Sequence, residues 1–259
     1  MGFLLGGCAG QPLTGLSGGQ VGWVSYPSTW EKGLTLQGEL VLPEKPAGKV
    51  PAMIVAHGSG GLDARNARWA AFLRQHGIAS FQIAYFASRN VDANSARQPQ
   101  PTHDLYDARQ LLATHPRIDA TRIGVIGFSR GAAMAVGAAN AGANAAFGLE
   151  FAAYVALYPA CGTGLLPSGA PVLVLIGSLD ESSSARVCER VVENARAAGR
   201  DATVIVYEGA HHAWDGDFSG RWFHKAIGRA YTMQPNPVVA EQSRKDVLSF
   251  LRRALRLQP

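Results

Sequence analysis

Charge is scarce in this 259-residue sequence: Asp, Glu, Lys and Arg make up 17% of it, against 47% hydrophobic residues. Between Arg130 and Asp180 the only charged side chain is Glu150. This balance excludes a disordered polyelectrolyte, and the chain is long enough to bury a large core. The gap is not a membrane span either. Its first half, Gly131 to Leu149, is mostly Ala and Gly with Asn140 and Asn144, and its second half is broken by Pro159, Gly162, Gly164, Pro167 and Pro171. No apolar run there reaches the ~20 residues that a bilayer helix needs.

Clusters of one charge are missing too. The net charge is +5, yet the densest basic group is Arg252, Arg253 and Arg256 near the end of a C-terminal helical pattern, where cations oppose the helix dipole. Nothing makes a phosphate-binding stripe, so no nucleic-acid partner is expected. No Cys-x-x-Cys pair or His-Glu-x-x-His helix occurs among the 3 Cys and 7 His residues, so neither a metal nor another cofactor is expected. The glycines after His57 do not form a dinucleotide loop, because Asp63 stands where the last glycine of Gly-x-Gly-x-x-Gly would be.

Near the start, Leu5-Gly6-Gly7-Cys8 resembles a bacterial lipobox, in which the Cys is lipidated after cleavage. Only seven residues precede Cys8, none of them Lys or Arg, and the apolar run is Phe3 to Leu5, short for a signal region. A truncated signal with a lipid anchor and an accidental match both remain open, with export preferred over a cytoplasmic location. Residues 1–20 are rich in Gly, Ser and Thr and read as a flexible tether ahead of a single domain over 21–259.

Within that domain, Val21–Tyr26 and Leu34–Leu42 show strand periodicity and suit an antiparallel hairpin at a sheet edge. Short, almost wholly apolar runs follow at Val50–Ala56, Ile78–Ala84, Arg122–Gly127, Phe151–Tyr158, Val172–Gly177 and Thr203–Tyr207. Such runs indicate strands covered on both faces. Helical patterns separate them, at Asp104–Thr114 after a Thr102 cap, over the Ala-rich stretch after Ser129, and at about Ser183–Ala198. A last helix spans about Pro237–Leu255. Alternation of strand and helix implies an α/β fold with a mostly parallel sheet.

The chemistry concentrates at Gly127-Phe128-Ser129-Arg130-Gly131, between an apolar strand and a helix. A serine on so sharp a turn needs glycines two residues before and after it, and the helix N-terminus favours developing negative charge. A hydroxyl is a weak nucleophile, so a base and an orienting acid must follow. Asp180, after the strand ending at Gly177, is the preferred acid, with Glu181 its competitor. His212 in Gly209-Ala210-His211-His212-Ala213-Trp214 is the preferred base, with His211 its competitor. The oxyanion donors expected are the Arg130 amide and, from His57-Gly58-Ser59-Gly60-Gly61, the Ser59 amide, with Gly60 the alternative. His57, Arg89 and Trp214 are pocket candidates, as are Phe86 and Trp222. Cys161 and Cys188 read equally as a disulfide or as two buried thiols.

From Val50 to Leu255 these segments together resemble the dienelactone hydrolase-like branch of the α/β-hydrolase superfamily. The resemblance rests on the 57–61 loop, the Ser129 elbow, Leu157-Tyr158-Pro159-Ala160-Cys161, Gly177-Ser178-Leu179-Asp180 and His212-Ala213-Trp214. It implies an α/β-hydrolase fold and, because Ser129 replaces the cysteine of the founding members, a serine esterase acting on small-molecule carboxylic esters or lactones. It also strengthens His212 as base and favours a Cys161–Cys188 disulfide. A serine peptidase, an acyltransferase or a non-catalytic binding protein are the alternatives.

Overall fold

The apolar runs pair into an eight-stranded sheet in the computed structural model, which describes residues 12–44, 48–162 and 169–257. The strands are β1 (Gly22–Pro27), β2 (Thr35–Val41), β3 (Val50–Ala56), β4 (Ala79–Ile83), β5 (Ile118–Phe128), β6 (Tyr154–Leu157), β7 (Val172–Gly177) and β8 (Ala202–Tyr207). Their spatial order is β1-β2-β4-β3-β5-β6-β7-β8. β1 and β2 form the expected antiparallel edge hairpin, β2 meets β4 antiparallel, and β3 to β8 run parallel.

Six α-helices accompany the sheet among the described residues: α1 (Ala64–Gln75), α2 (His103–Ala113), α3 (Arg130–Ala138), α4 (Ala141–Phe147), α5 (Ala185–Ala197) and α6 (Pro237–Ala254). Strand side chains alternate between faces. In β3, Ala52, Ile54 and Ala56 enter a core shared with α2, α3 and α5, while Met53 and Val55 enter a second core with α1 and α6. Burial on both faces is why β3 and β7 are apolar at every position. The parallel strands end on one edge, so the loops after β3, β5, β7 and β8 meet there.

Three stretches differ from the sequence reading. The Ala-rich region is two helices, because Asn140 leaves the helical conformation and its side chain accepts from the Gly142 amide to cap α4. Thr102 precedes α2 as expected, but its side chain makes no cap bond. The tether expected over 1–20 is packed in its described part. Leu16 is fully buried, its amide donates to Thr114 Oγ1 at 2.6 Å, and Leu13 N donates to Ser25 O at 2.7 Å. Its glycine content serves close packing here, since a Cβ on Gly15 would sit 3.2 Å from Thr114 Oγ1.

Two elements carry no expectation from the sequence. One is α1, opened by a reciprocal capping box between Asp63 and Asn66. The other is a separate antiparallel hairpin, β9 (Gly220–His224) and β10 (Arg229–Met233), tied to the His212 loop by a bridge from Met233. Cys8 lies outside the described residues, and among those described no helix is long and apolar enough to cross a membrane.

Leu16 supplies a direct measure of how firmly the N-terminal stretch is docked. Leu16→Ala is expected to cost about 2–5 kcal/mol of unfolding free energy. A urea-midpoint shift near zero would show that residues 12–20 contribute nothing to the fold.

Candidate active site

Ser129 has φ 50° and ψ −109°, in the left-handed region that a β-carbon disfavours. The surroundings impose this conformation. A Cβ on Gly127 would lie 2.1 Å from Gly131 O, and one on Gly131 would lie 2.1 Å from Ala56 O. The two glycines therefore let β5, the turn and α3 pass through a space with no room for side chains. The same device recurs at the acid loop, where a Cβ on Gly177 would lie 2.1 Å from Ala210 O.

The loops after β5, β7 and β8 bring the three sequence-derived residues into one chain of contacts. Ser129 Oγ lies 3.0 Å from His212 Nε2, and His212 Nδ1 lies 2.8 Å from Asp180 Oδ2. A carboxylate only accepts, which puts the imidazole proton on Nδ1 and leaves Nε2 to accept from Ser129. The other Asp180 oxygen accepts from the Ser182 and Ser183 amides at 2.8 and 3.0 Å. Those serines thus fix the carboxylate, and α5 starts later than the sequence pattern suggests. The competitors lie elsewhere: Glu181 accepts from the Thr232 amide and pairs with Arg221, and His211 contacts neither Ser129 nor Asp180.

A buried polar group anchors the histidine loop. Tyr158 donates to Asp215 Oδ1 at 2.7 Å and accepts from Arg65 Nη1 at 2.9 Å, while Trp69 Nε1 donates to Asp215 Oδ2 at 2.7 Å. Burial holds the Tyr158 phenol well above its ordinary pKa, so it stays a donor. The Tyr158 and Tyr231 rings stand edge-on to His212, with centroids 4.8 and 4.9 Å away.

Opposite the histidine, Gly58 brings the loop after β3 against the elbow; a Cβ there would meet Phe128 O at 3.3 Å and Ser129 Cβ at 3.5 Å. The Ser59 and Gly60 amides have no acceptor among the described residues, and the Arg130 amide opens α3. Two cavities flank Ser129, and Ser59 borders both. One, about 630 Å³, is lined by Arg97, Arg130, Arg229 and His224, with no carboxylate among the described lining residues. The other, about 410 Å³, includes Phe218, Trp222, Tyr231 and Met233.

The three pocket candidates are placed elsewhere. His57 is buried, stacked on Tyr85 at 3.9 Å, with Nδ1 2.7 Å from Gly58 O. Aimed into the core, it supports the loop from below. Arg89 pairs with Glu31 and Asp104, the latter at 2.7 Å, and so ties the N-terminal hairpin to α2. Trp214 is a core residue against Tyr158 and Tyr207. Phe86 is likewise core, and only Trp222 of the aromatic candidates reaches a cavity. Glu31, His103 and Asp104 come close enough to hold a metal, but the Arg89 guanidinium already pairs with both carboxylates. Cys161 and Cys188 form a disulfide.

Sequence reading named Trp222 but missed the rest of what β9–β10 brings to the site, His224, Arg229 and Tyr231. The only local signal was Ile227-Gly228 between two aromatic-bearing runs. The Arg65–Tyr158–Asp215 group was also invisible, since its members are distant in sequence.

A parallel sheet with a nucleophile elbow, a following acid and a following histidine on its carboxyl edge defines an α/β-hydrolase. Within that class the sequence profile of the dienelactone hydrolase family matches residues 36–255, and the chain belongs to that family. No curated protein sequence matches it. Among solved structures, it is similar to a putative dienelactone hydrolase from Klebsiella pneumoniae, with 21% identity, TM-score 0.67 and coverage of 90% of this chain and 98% of that one. It is also similar to esterase Est2 of Thermogutta terrifontis with propionate bound, with 16% identity, TM-score 0.68 and coverage of 94% and 97%. The same Thermogutta esterase phosphoramylated by tabun matches at 16% identity and TM-score 0.67, covering 92% and 97%.

Burial pushes His57 down to about 4, and burial with the nearby Arg130 charge pushes His224 down to about 4 as well. Both stay neutral in the folded chain but titrate near ~6.5 when unfolded. The unfolded state then binds more protons below that pH, so stability is complete above about 6.5 and falls as the pH drops toward 4. His57 alone accounts for about 2 kcal/mol at pH 5. Urea midpoints at pH 7 and pH 5 check this; equal midpoints would contradict it.

Proposed function

We propose that this dienelactone hydrolase family member, a hydrolase acting on ester bonds, cleaves carboxylic esters or lactones of small molecules through Ser129, His212 and Asp180. The observation that carries the reading is the continuous Ser129–His212–Asp180 contact at 3.0 and 2.8 Å. His212 Nε2 takes the Ser129 proton as the oxygen attacks the carbonyl, and Asp180 holds the tautomer and stabilises the imidazolium. The Arg130 and Ser59 amides face the negative charge of the tetrahedral intermediate. Collapse expels the alcohol, protonated by His212, and leaves an acyl-serine. Water activated by His212 then releases the acid and restores Ser129. The arginine-lined cavity suits a substrate with a negative charge on one side of the ester, and the Phe218–Trp222–Met233 cavity suits an apolar group on the other.

Two measurements test this reading. A fluorophosphonate probe is expected to label Ser129 in the native chain and to leave Ser129→Ala unlabelled; equal labelling of both rejects the nucleophile. On an aryl ester, Asp180→Asn is expected to lower kcat about 10⁴-fold, and a loss below tenfold rejects the acid. A panel of esters, lactones and peptides, with and without a free carboxylate, divides esterase from peptidase. Turnover of peptides alone would overturn the ester assignment.

A further inference from the structure

The side chain of Ser59 has a hydrogen-bond arrangement that the amide role of this residue does not use. Its Oγ lies 3.0 Å from Arg130 Nε, which only donates, and 2.8 Å from Nε2 of His224 on β9. Ser59 is 4% exposed and His224 also 4%. His224 is neutral near pH 7, because burial and the Arg130 charge lower its pKa to about 4, so it carries one ring proton. Its Nδ1 is buried with no partner among the described residues. A proton on Nδ1 would be an orphaned buried donor, which folded proteins seldom tolerate; the proton therefore sits on Nε2 and is donated to Ser59. Both lone pairs of the Ser59 hydroxyl are then occupied, and its own proton has no acceptor among the described residues. Gln98 fixes the backbone beneath it, donating Nε2 to Ser59 O at 3.2 Å and accepting from Arg130 Nε at 3.2 Å. The residue borders both cavities that meet at Ser129.

We propose that the Ser59 hydroxyl is a catalytic hydrogen-bond donor to the substrate oxygen that becomes negatively charged, and that His224 is the positioning residue that aims it. This rests on the serine-hydrolase reading above and adds a side-chain donor to the two backbone amides. A hydroxyl that accepts two N–H groups is polarised and donates more strongly, and the gain is largest when the oxygen carries full charge. The hairpin β9–β10 thereby acts on the reaction from outside the Ser129–His212–Asp180 set.

The test is steady-state hydrolysis of an aryl ester, with the rate of fluorophosphonate labelling measured in parallel on the full chain. Ser59→Ala keeps the backbone amide and removes only the hydroxyl. Its kcat is expected to fall on the order of 100-fold with KM within about twofold, and Ser59→Thr recovers most of the loss. His224→Ala is expected to lose kcat as well, and His224→Gln, which retains a terminal donor, to regain it. Wild-type kcat in Ser59→Ala overturns the proposal. Should Ser59→Ala unfold, Ser59→Thr against its isostere Ser59→Val makes the same comparison, and equal kcat in that pair overturns it. A wild-type chain that neither hydrolyses ester nor is labelled rejects the serine-hydrolase reading itself. One that does both while Ser59→Ala matches it rejects only the hydroxyl donor.

Discussion

Backbone packed on backbone at the elbow is the constraint on which the rest of the site depends. With carbonyl oxygens where Gly127 and Gly131 would carry side chains, β5 and α3 meet so closely that Ser129 is held at φ 50°. A residue in that region costs roughly 1–3 kcal/mol, which the two cores on either side of the sheet offset. The reward is geometric. Ser129 projects from the sheet edge, the Arg130 amide remains unsatisfied at the start of a helix, and Ala56 carries the following loop alongside. Gly177 against Ala210 does the same for the acid and histidine loops, so two contacts of this type fix the separation of all three side chains.

The sheet was legible because its signal is local. Strands buried on both faces are apolar at each position, and β3 and β7 begin and end where the pattern starts and stops, while the half-buried edge strand β8 begins within a residue of it. Ser129, Asp180 and His212 were legible for a related reason, since each follows directly after such a strand. The pocket was not. His57, Arg89 and Trp214 have the chemistry of pocket residues, but their orientation is decided by Tyr85, by Glu31 with Asp104, and by Tyr158, all remote in sequence. Trp222, His224, Arg229, Tyr231 and Met233, which do line the cavities, come from β9–β10, whose short, half-exposed strands lack a strong period.

The absence of charge between Arg130 and Asp180 acquires a structural meaning. This stretch holds β6 and β7, interior strands flanked on both sides, and α3, which packs directly on the sheet. A charge there would be unpaired in a dry core, at a cost of several kcal/mol. Glu150 is exposed, between α4 and β6, and accepts from the Ala170 amide at 3.1 Å. Apart from Glu150, charge stands only at the two ends of the stretch, where half-buried Arg130 faces Ser59 and Gln98 and buried Asp180 faces His212.

The Cys161–Cys188 bond encloses β7 and Asp180 in a covalent ring, with a sequence separation of 27 between the cysteines. In chain-entropy terms a loop of that size restricts the unfolded chain by about 3–4 kcal/mol. Its topological effect is separate from that energy. A single peptide-bond break inside the ring leaves one covalent molecule, so Asp180 stays attached to the polypeptide that bears Ser129 and to the one that bears His212. Ser129 and His212 are thus joined by two covalent paths across the segment that bears Asp180, and a nick there does not divide the protein.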